Sequence, residues 1–319
     1  MADDVMTISA TQVASAAHTP VPDRGCYGVC VIVPTYRRPA DLERCLAALS
    51  RQTLPPCRVV VAMRNDDRES RRVAVRFADA LPLTFVATWT PGVVAAINAA
   101  LDLATGDVVA ITDDDAAPHP DWIERLERWY HADDRIAGVG GRDYVYRDGV
   151  LVDGAQPVVG KVQWIGRVVG NHHLGFGAAR EVDVLKGVNW SFRRSAIGGA
   201  RLDTRLRGKG AQVQNELEFC LRLRRAGWRL IYDPRIAVDH FPSVRHDIDK
   251  RGRRYFHPEA QEDAAYNDTL CLMAHLPPAR RAAFAAWAVL VGTSDYPGAL
   301  QCARLALRRD GHAAARFAA

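Results

Sequence analysis

An apolar run passes directly into three carboxylates at Val108-Val109-Ala110-Ile111-Thr112-Asp113-Asp114-Asp115. The apolar part, rich in β-branched residues, predicts a buried strand, and two prolines at 118 and 120 mark where it has to have ended. Three acidic side chains at the end of a buried strand repel one another unless a cation lies between them. Oxygen ligands are those that Mg²⁺ and Mn²⁺ prefer, often together with substrate phosphates. The stretch therefore indicates a metal-assisted site for a phosphorylated ligand, and an acidic surface turn is the alternative.

Strands and helices alternate in the chain before this stretch. The periodicity predicts strands over 29–33, 59–63 and 83–87 and helices over 39–52, 69–80 and 93–104. Such alternation with short loops predicts an α/β fold with a mostly parallel sheet flanked by helices. Because parallel sheets bind ligands at the carboxyl ends of their strands, Thr35, the loop 64–67 and the aspartate triplet are expected to converge on one crevice.

The chain after the triplet is less regular. The patterns predict helices over 121–131 and 214–226, a strand from Leu230 that stops at Pro234, and a further strand-like segment at 236–238. Residues 138–200 are glycine-rich and predicted to be irregular, with short strands near 143–152 and 183–194. The glycines at 138, 140 and 141 are not followed by a helix-opening phosphate loop, so a dinucleotide site is not expected there.

The amino-acid composition limits which classes of function and partner the protein can have. With 319 residues, 48% of them hydrophobic and 25% charged, the chain has ample material for a globular core. A net charge of +5 without interleaved aromatic and basic motifs argues against nucleic acid as a partner. Seven scattered cysteines without CxxC pairs favour a reducing cytoplasm over a disulfide framework. The longest uncharged apolar stretch, 282–294, is shorter than the roughly 20 residues that a membrane helix needs. Residues 1–26 are expected to be a flexible tail without a signal peptide.

An ordered set of motifs over residues 28–242 resembles the family 2 glycosyltransferases, the inverting, metal-dependent enzymes with the GT-A fold and a DxD motif. The set comprises Val31-Ile32-Val33-Pro34-Thr35-Tyr36-Arg37-Arg38, Asn98 with Ala104-Thr105-Gly106-Asp107 leading to the triplet, Pro120-Asp121-Trp122, Lys186-Gly187-Val188-Asn189-Trp190-Ser191-Phe192-Arg193-Arg194, Asn215-Glu216-Leu217-Glu218-Phe219-Cys220-Leu221-Arg222, Ala226-Gly227-Trp228, Tyr232-Asp233-Pro234 and Val238-Asp239-His240. The resemblance implies a hexosyl-transferring enzyme that takes its sugar from a UDP-, GDP- or dTDP-linked donor.

The resemblance also implies roles for individual residues. A Mg²⁺ or Mn²⁺ ion would be held by Asp113, Asp115 and His240, and Glu216 would be the general base. Seven residues would contact the nucleotide of the donor: Thr35, Tyr36, Arg37, Asp66, Asp67, Asp113 and Asp114. Three would contact the acceptor: Asn189, Trp190 and Glu218. Core packing is the alternative for Trp190, and Glu218 is the rival candidate for the general base.

Three departures from the family pattern stand out. The usual Glu-Asp pair is Asn215-Glu216 here, so the base would be a glutamate. The usual Ala-Arg-Asn before the triplet is Ala96-Ile97-Asn98, which removes an arginine expected at the diphosphate. The Asp-rich turn after the second strand reads Arg64-Asn65-Asp66-Asp67.

The C-terminal part is predicted to be helical. Residues 259–310 indicate two or three helices broken at Pro277-Pro278 and Pro297. Arginines flank their apolar faces. A basic run lies between 245 and 254, for which a solvated surface, replacement of the missing arginine at the diphosphate and contact with anionic lipid are the alternatives. Packing against the catalytic domain is one interpretation, and peripheral contact with the inner face of a membrane near a lipid-linked acceptor is another.

The expected organisation is a tail (1–26), a GT-A catalytic domain (27–245) and a helical C-terminal extension (246–319). Within the catalytic domain, 27–120 would bind the nucleotide and 121–245 the acceptor. The expected function is transfer of a sugar to a glycan or lipid-linked acceptor in polysaccharide or cell-surface glycan synthesis. A non-catalytic module that binds nucleotide sugars and a nucleotidyltransferase are the alternatives, although the first strand lacks the Gly-rich loop typical of the latter.

Overall fold

The structure, a computed structural model, describes residues 28–243, 257–293 and 295–307. A ten-stranded mixed sheet and a separate two-stranded ribbon form its β layer. The strands are β1 (Val29–Thr35), β2 (Arg58–Arg64), β3 (Leu83–Thr88), β4 (Val108–Ile111), β5 (Ala116–Pro118), β6 (Ile136–Arg147), β7 (Val150–Leu151), β8 (Lys161–Val162), β9 (Val168–Val169), β10 (Arg180–Val182), β11 (Trp190–Arg193) and β12 (Arg229–His240).

Helices connect these strands and follow them at the C-terminal end. They are α1 (Pro39–Leu49), α2 (Arg68–Val75), α3 (Val93–Leu101), α4 (Trp122–Ala132), α5 (Arg194–Ile197), α6 (Asn215–Arg225), α7 (Pro258–His275), α8 (Pro278–Leu290) and α9 (Ala299–Leu307). The helices predicted before the aspartate triplet all form, and each is shorter than predicted at its C-terminal end.

The sheet has the strand order β10-β12-β6-β11-β4-β1-β2-β3. Parallel pairing joins β1 to β2 and β4, and also β2 to β3. The antiparallel strand β11 lies between β4 and β6, and β6 and β12 are again parallel. This largely parallel sheet with flanking helices confirms the predicted fold class, and it places the ends of β1, β2 and β4 at one edge.

The first strand explains why the sheet is buried on both faces. Cys30 and Ile32 point into an apolar cluster that includes residues of α3 and α6. Val29, Val31 and Val33 alternate into a second cluster with residues of α1 and α4. A continuous apolar strand of this kind is characteristic of sheets covered on both sides, so the sheet is held rigidly behind the site.

Two predictions about the later strands are wrong. The strand from Leu230 does not stop at Pro234 but continues to His240, with a register shift between Asp233 and Ala237 where it pairs with β6. A bulge accommodates the proline because a residue outside the ladder needs no N–H to donate. The partner at the bulge is Gly141, where an added Cβ would lie 1.8 Å from the carbonyl oxygen of Ile236.

The glycine-rich segment is also more regular than predicted. Residues 136–147 form one twelve-residue strand, and its glycines allow close approach of neighbouring side chains and backbone. A Cβ at Gly138 would lie 2.8 Å from a Leu230 methyl carbon, and one at Gly140 would lie 2.5 Å from the carbonyl oxygen of Asn189. The glycines therefore serve strand packing and not a loop.

Three C-terminal helices form as predicted, with breaks at the two proline sites. The helix α7 joins the catalytic part through Asn267, whose side chain accepts a hydrogen bond from the Arg207 backbone N–H and donates to the carbonyls of Arg207 and Val213. In the described parts of the chain, no helix is long and apolar enough to cross a bilayer. The predicted tail 1–26 and the basic run 245–254 lie outside the described residues.

Candidate active site

A pocket of about 130 Å³, open to solvent, lies at the carboxyl ends of β1, β2 and β4. Thr35 at the end of β1, Arg64 at the end of β2 and the aspartates after β4 contribute to its wall. The strand ends thus meet at one crevice, as the alternation of strands and helices predicted. The wall is formed by Pro34, Thr35, Tyr36, Arg38, Met63, Arg64, Thr88, Gly92, Val93, Ala96, Asp113, Asp115, Gly210 and Ala211.

The three aspartates have different environments. Asp113 and Asp115 line the pocket. Asp114 points away from the pocket and is fully buried, and its carboxylate accepts a hydrogen bond of 2.7 Å from the Thr35 hydroxyl. Burial raises the pKa of Asp114, a rise that Arg38 opposes and Asp115 reinforces. The structure therefore does not support contact between Asp114 and the nucleotide, because this side chain holds the pocket wall in place.

Arg38 relieves the repulsion that the sequence predicted between the aspartates. Its guanidinium forms ion pairs of 2.5 Å with Asp114 Oδ1 and 3.0 Å with Asp115 Oδ2. A side-chain cation therefore already neutralises part of the acidic cluster. Sequence reasoning did not single out Arg38, although it lies within the first motif, because its partners 76 and 77 residues away are set by the fold.

His240 lies beside the one oxygen of Asp115 that Arg38 leaves free. Pairing between β5 and the end of β12 places Ala116 opposite His240, which brings Asp115 next to the imidazole. His240 Nε2 is 3.6 Å from Asp115 Oδ1. Among the described residues, this buried oxygen has no hydrogen-bond partner, whereas Oδ2 accepts from Arg38 and from the Ser243 backbone N–H. A carboxylate oxygen and an imidazole nitrogen thus face each other at a distance longer than a hydrogen bond.

Asp143 and Lys186 lie behind His240. Asp143 Oδ2 lies 3.3 Å from His240 Nδ1 and accepts a hydrogen bond from Lys186 Nζ. Burial opposes ionisation of Asp143, but the hydrogen bond from His240 and the charge of Lys186 outweigh it and lower the pKa of Asp143 to about 2. The sequence offered no signal for Asp143, whereas Lys186 lies within a motif that had been noted.

The donor set fits a divalent cation only together with a substrate. In the described ranges, no group of three or more His, Cys, Asp and Glu side chains could hold a metal ion. Asp115 Oδ1 and His240 Nε2 supply two ligand atoms, and Asp113 lines the same pocket. Mg²⁺ is commonly held by one or two protein ligands and completes its shell with phosphate oxygens and water. The unpartnered Asp115 oxygen is consistent with such a site.

Glu216 lies in the first turn of α6, partly buried next to the loop that carries Lys186. Its Oε1 accepts a hydrogen bond of 3.3 Å from the Gly187 backbone N–H. Burial is the main cause that raises its pKa, and the negative charge of Asp113 adds to the rise. A carboxylate with a raised pKa close to an acidic, phosphate-compatible pocket has the properties of a general base.

The residues predicted to hold the nucleotide divide into two groups. Tyr36 lines the pocket, and the guanidinium carbons of Arg37 and Arg64 lie 5.0 and 5.2 Å from its ring centroid. Arg37 adopts a left-handed φ of 54° and forms a 2.9 Å ion pair with Asp66, outside the pocket wall. Asp67 is buried and accepts hydrogen bonds from the Ser70 and Arg37 backbone N–H groups. Asp67 therefore caps α2, and the structure does not support its predicted contact with nucleotide.

The three residues predicted to contact the acceptor are all turned inward. Trp190 is 1% exposed and packs edge-to-face against Phe192 and Phe219, so it belongs to the core. Asn189 accepts from the Trp122 indole N–H and donates to two backbone carbonyls. Glu218 pairs with Arg222 and His275. All three side chains therefore have structural partners inside the protein, and their contact with acceptor stays a prediction.

The arginine absent before the triplet has no replacement at that position. Ile97 is buried, and Asn98 exchanges hydrogen bonds with the backbone of Leu202. Positive charge in the pocket wall instead comes from Arg38 and Arg64. The suggestion that the basic run 245–254 supplies this charge concerns residues outside the described part of the chain.

Comparison with known proteins identifies the family. The sequence model of Glycosyl transferase family 2 matches residues 30–198, more than half of the chain. The chain is 28% identical over 270 residues to the glucosyl-dolichyl phosphate glucuronosyltransferase of Haloferax volcanii, covering 77% of this chain and 83% of that protein.

Solved structures show the same fold at lower identity. A mannosyltransferase of Pyrobaculum calidifontis, solved with GDP-Man and Mn²⁺, superposes with a TM-score of 0.58 at 21% identity over 97% of this chain and 84% of the other. The S. aureus TarS protein, solved with UDP-GlcNAc, superposes with a TM-score of 0.59 at 15% identity over 89% and 75%. The sheet and its flanking helices are thus of the GT-A type. By the family match over more than half of its length, the chain belongs to glycosyl transferase family 2 and is a glycosyltransferase.

Proposed function

We propose that this glycosyltransferase moves a sugar from a nucleoside diphosphate to an acceptor hydroxyl in a single inverting displacement that depends on a divalent cation. One observation carries the proposal: Asp115 Oδ1, without a hydrogen-bond partner among the described residues, lies 3.6 Å from His240 Nε2 at the wall of the pocket. The acidic triplet and the imidazole, 125 residues apart in the sequence, therefore come together.

The pocket residues would bind and orient the donor. Tyr36 and Arg64 flank the space for the nucleoside, and Thr35 is held in place by Asp114. Asp115 and His240 would hold Mg²⁺ or Mn²⁺ against the diphosphate, with Asp113 directed at the ion or the ribose. When bound, the cation would supply Lewis-acid stabilisation of the charge that develops on the departing diphosphate. Arg38 and Arg64 add positive charge along the same wall.

Glu216 would act as the general base. The acceptor oxygen attacks the anomeric carbon as the bond from that carbon to the diphosphate oxygen breaks on the opposite face. The proton of the acceptor hydroxyl passes to Glu216. Because attack and departure take place on opposite faces, the configuration at the anomeric carbon is inverted. Its raised pKa makes Glu216 a stronger proton acceptor than an exposed glutamate. Positioned proton transfer of this kind contributes roughly 10²- to 10⁴-fold to a rate.

A lipid-linked sugar is the acceptor class that the comparisons favour. The archaeal relative named above acts, by its name, on glucosyl-dolichyl phosphate. The solved relatives bind GDP-Man and UDP-GlcNAc, so UDP-, GDP- and dTDP-linked sugars are the donors to test. Such an acceptor would fit a role in the synthesis of cell-surface glycans. It would also place the enzyme in the cytoplasm, on the inner face of a membrane.

We also propose that different segments of the chain bind the nucleotide and the acceptor. The segment up to residue 120 supplies most of the pocket wall, whereas β6, β12 and α6 bring Asp143, His240 and Glu216 from the later segment. The segment up to residue 120 would bind the nucleotide, and the later segment would bind the acceptor. The helical extension that contains α7, α8 and α9 would be a distinct unit packed against them.

A ligand screen identifies the donor, and two substitutions then separate donor binding from the sugar-transfer step. A thermal-shift screen of UDP-, GDP- and dTDP-sugars with Mn²⁺ selects the donor, since a ligand stabilises only a fold that binds it. We expect Asp115→Ala to abolish Mn²⁺-dependent donor binding in calorimetry. We expect Glu216→Gln to keep that binding and to lower transfer to a polyprenyl-phosphate sugar by about 10²- to 10⁴-fold.

The exposed Asp79, in the turn after α2, provides the control, and Asp79→Ala should behave like the wild type. Donor binding by a wild-type protein that transfers no sugar would favour a non-catalytic module. Full turnover by the Glu216→Gln variant would remove Glu216 as the base.

A further inference from the structure

We propose that Asp143 is a positioning residue that fixes the ring of His240 so that its Nε2 faces the cation beside Asp115. This inference rests on the proposed metal-dependent function and goes further, since it assigns a role to a residue outside the pocket wall. The observation behind it is the sequence of contacts from Lys186 through Asp143 and His240 to Asp115.

The sheet sets the positions of the two side chains. Asp143 on β6 pairs with Val238 on the parallel strand β12, and His240 pairs with Val145. Residues two apart on a strand share a face, so Asp143 and His240 lie diagonally on the same side of this strand pair. The resulting distance from Asp143 Oδ2 to His240 Nδ1 is 3.3 Å.

Because a carboxylate, Asp143, is the partner of His240 Nδ1, it decides which ring nitrogen of His240 carries the proton. An ionised carboxylate only accepts hydrogen bonds, so Nδ1 has to be protonated in order to donate to Asp143. A neutral imidazole carries a single proton, which leaves the lone pair of Nε2 directed at Asp115 Oδ1, 3.6 Å away. Metal-binding histidines generally donate their other ring N–H to such a carboxylate or to a carbonyl.

Lys186 keeps Asp143 in this role. Its ammonium donates a hydrogen bond to the same Oδ2 atom, while the side chain of Asp143 is fully buried. The lysine offsets the cost of burying the carboxylate and holds it on the Nδ1 side of the ring. Asp143 is not among the residues that line the pocket, so it would act through His240.

A purely structural role is the competing explanation. If Asp143 served only as the buried counter-ion of Lys186, its removal would lower stability without a specific effect on the cation. The two explanations differ in whether the effect of Asp143 depends on the presence of His240. A double-mutant cycle measures this dependence directly.

The experiment measures Mn²⁺ affinity in the full chain by electron paramagnetic resonance of free Mn²⁺, with UDP and, in parallel, GDP. We expect Asp143→Asn to weaken Mn²⁺ binding by about 10- to 100-fold, the usual effect of losing such a supporting contact. In a His240→Gln background the same substitution should change Mn²⁺ affinity less than about 2-fold, because there is no ring left to orient. An equal loss in both backgrounds, or no loss in the wild-type background, would overturn the inference.

A second measurement determines the His240 tautomer in the wild-type protein itself. In the wild-type protein with Mg²⁺ and the same nucleotides, nitrogen-15 NMR should show a proton on Nδ1 of His240 and none on Nε2. His240→Gln identifies the signal among the ten histidines. A proton on Nε2 would contradict the inference even if wild-type Mn²⁺ binding is normal. Absence of any nucleotide-dependent Mn²⁺ binding by the wild type would instead refute the proposed metal-dependent function, and with it the basis of the inference.

Discussion

The two carboxylate oxygens of Asp115 have different partners, and this difference determines which of them can bind a ligand. Oδ2 is neutralised by Arg38 and accepts from the Ser243 backbone N–H, whereas the buried Oδ1 has no hydrogen-bond partner among the described residues and lies beside His240. A carboxylate with both oxygens paired inside the protein would have no oxygen left to coordinate a cation. Arg38 therefore allows three aspartates to coexist and still leaves one oxygen for a ligand.

Glu216 gives a pH-dependent prediction at the same scale. Burial and Asp113 raise its pKa in the folded state above the unfolded value of about 4.3. Its favourable contribution to stability is therefore present below pH ~4 and is lost as the pH rises through the raised value. Glu216→Gln, which stays neutral, should therefore gain Tm relative to the wild type on going from pH 4 to 8.

Thermal melts by circular dichroism across this pH range measure the difference. The matched control is Glu218→Gln, which breaks the buried pairs with Arg222 and His275 and should lower Tm instead. A Tm difference between wild type and Glu216→Gln that does not change with pH would contradict the prediction.

At the scale of elements, the bulge in β12 decides where His240 ends up. The register shift after Asp233 lets the strand pass Pro234 and still reach Ala116 opposite His240. Sequence patterns placed a strand on each side of the proline but treated Pro234 as a stop, because the rule for proline describes a regular ladder and not a bulge. The long strand β6 was missed for a related reason, since glycines needed for close strand approach look like loop residues in a sequence.

Gly141 tests the importance of the bulge. A Cβ there would lie 1.8 Å from the Ile236 carbonyl oxygen and 2.7 Å from that of Asp233, and backbone cannot move aside as a side chain can. We expect Gly141→Ala to lower the free energy of unfolding by about 1–3 kcal/mol, the usual cost of overpacking. Urea unfolding measures this change.

Gly199 is the control for that experiment, because a Cβ at this position would meet nothing within 4 Å. Gly199→Ala should therefore unfold at nearly the wild-type urea concentration. Equal stability of both variants would show that the bulge tolerates a side chain and that Gly141 is not required for it.

At the scale of the whole molecule, sequence reasoning succeeded where it depended on topology. The ends of β1, β2 and β4 meet because parallel strands place their carboxyl ends together, so Thr35 and the aspartates could be expected in one pocket before any coordinates. It could not foresee which side chains turn inward. Trp190 and Glu218 belong to motifs that suggested function, yet their partners Phe219 and His275 come from α6 and α7, and only the packed fold brings them together.

The C-terminal helices give a prediction for the whole molecule. Several apolar side chains on or beside α8 and α9 are exposed, among them Val289, Leu290, Leu300 and Leu307, the last at 87%. With Arg304 of α9 they would form a surface suited to an anionic membrane that carries the acceptor. We expect the wild type to co-sediment with vesicles that contain anionic lipid and the double variant Leu300→Glu/Leu307→Glu to remain in solution.

Val150 is equally exposed on β7, so Val150→Glu should leave vesicle binding unchanged and serves as the control. Equal recovery of the wild type and the double variant with the vesicles would argue for a packing role of these helices alone.

The central claim is that Asp115 and His240 hold one divalent cation against the donor diphosphate. Anomalous X-ray diffraction from crystals grown with Mn²⁺ and UDP or GDP tests it most directly. We predict a manganese peak in the pocket, about 2–2.3 Å from both Asp115 Oδ1 and His240 Nε2, with diphosphate oxygens completing its shell. A manganese ion bound to the nucleotide but with neither of these two atoms as ligand would contradict the claim.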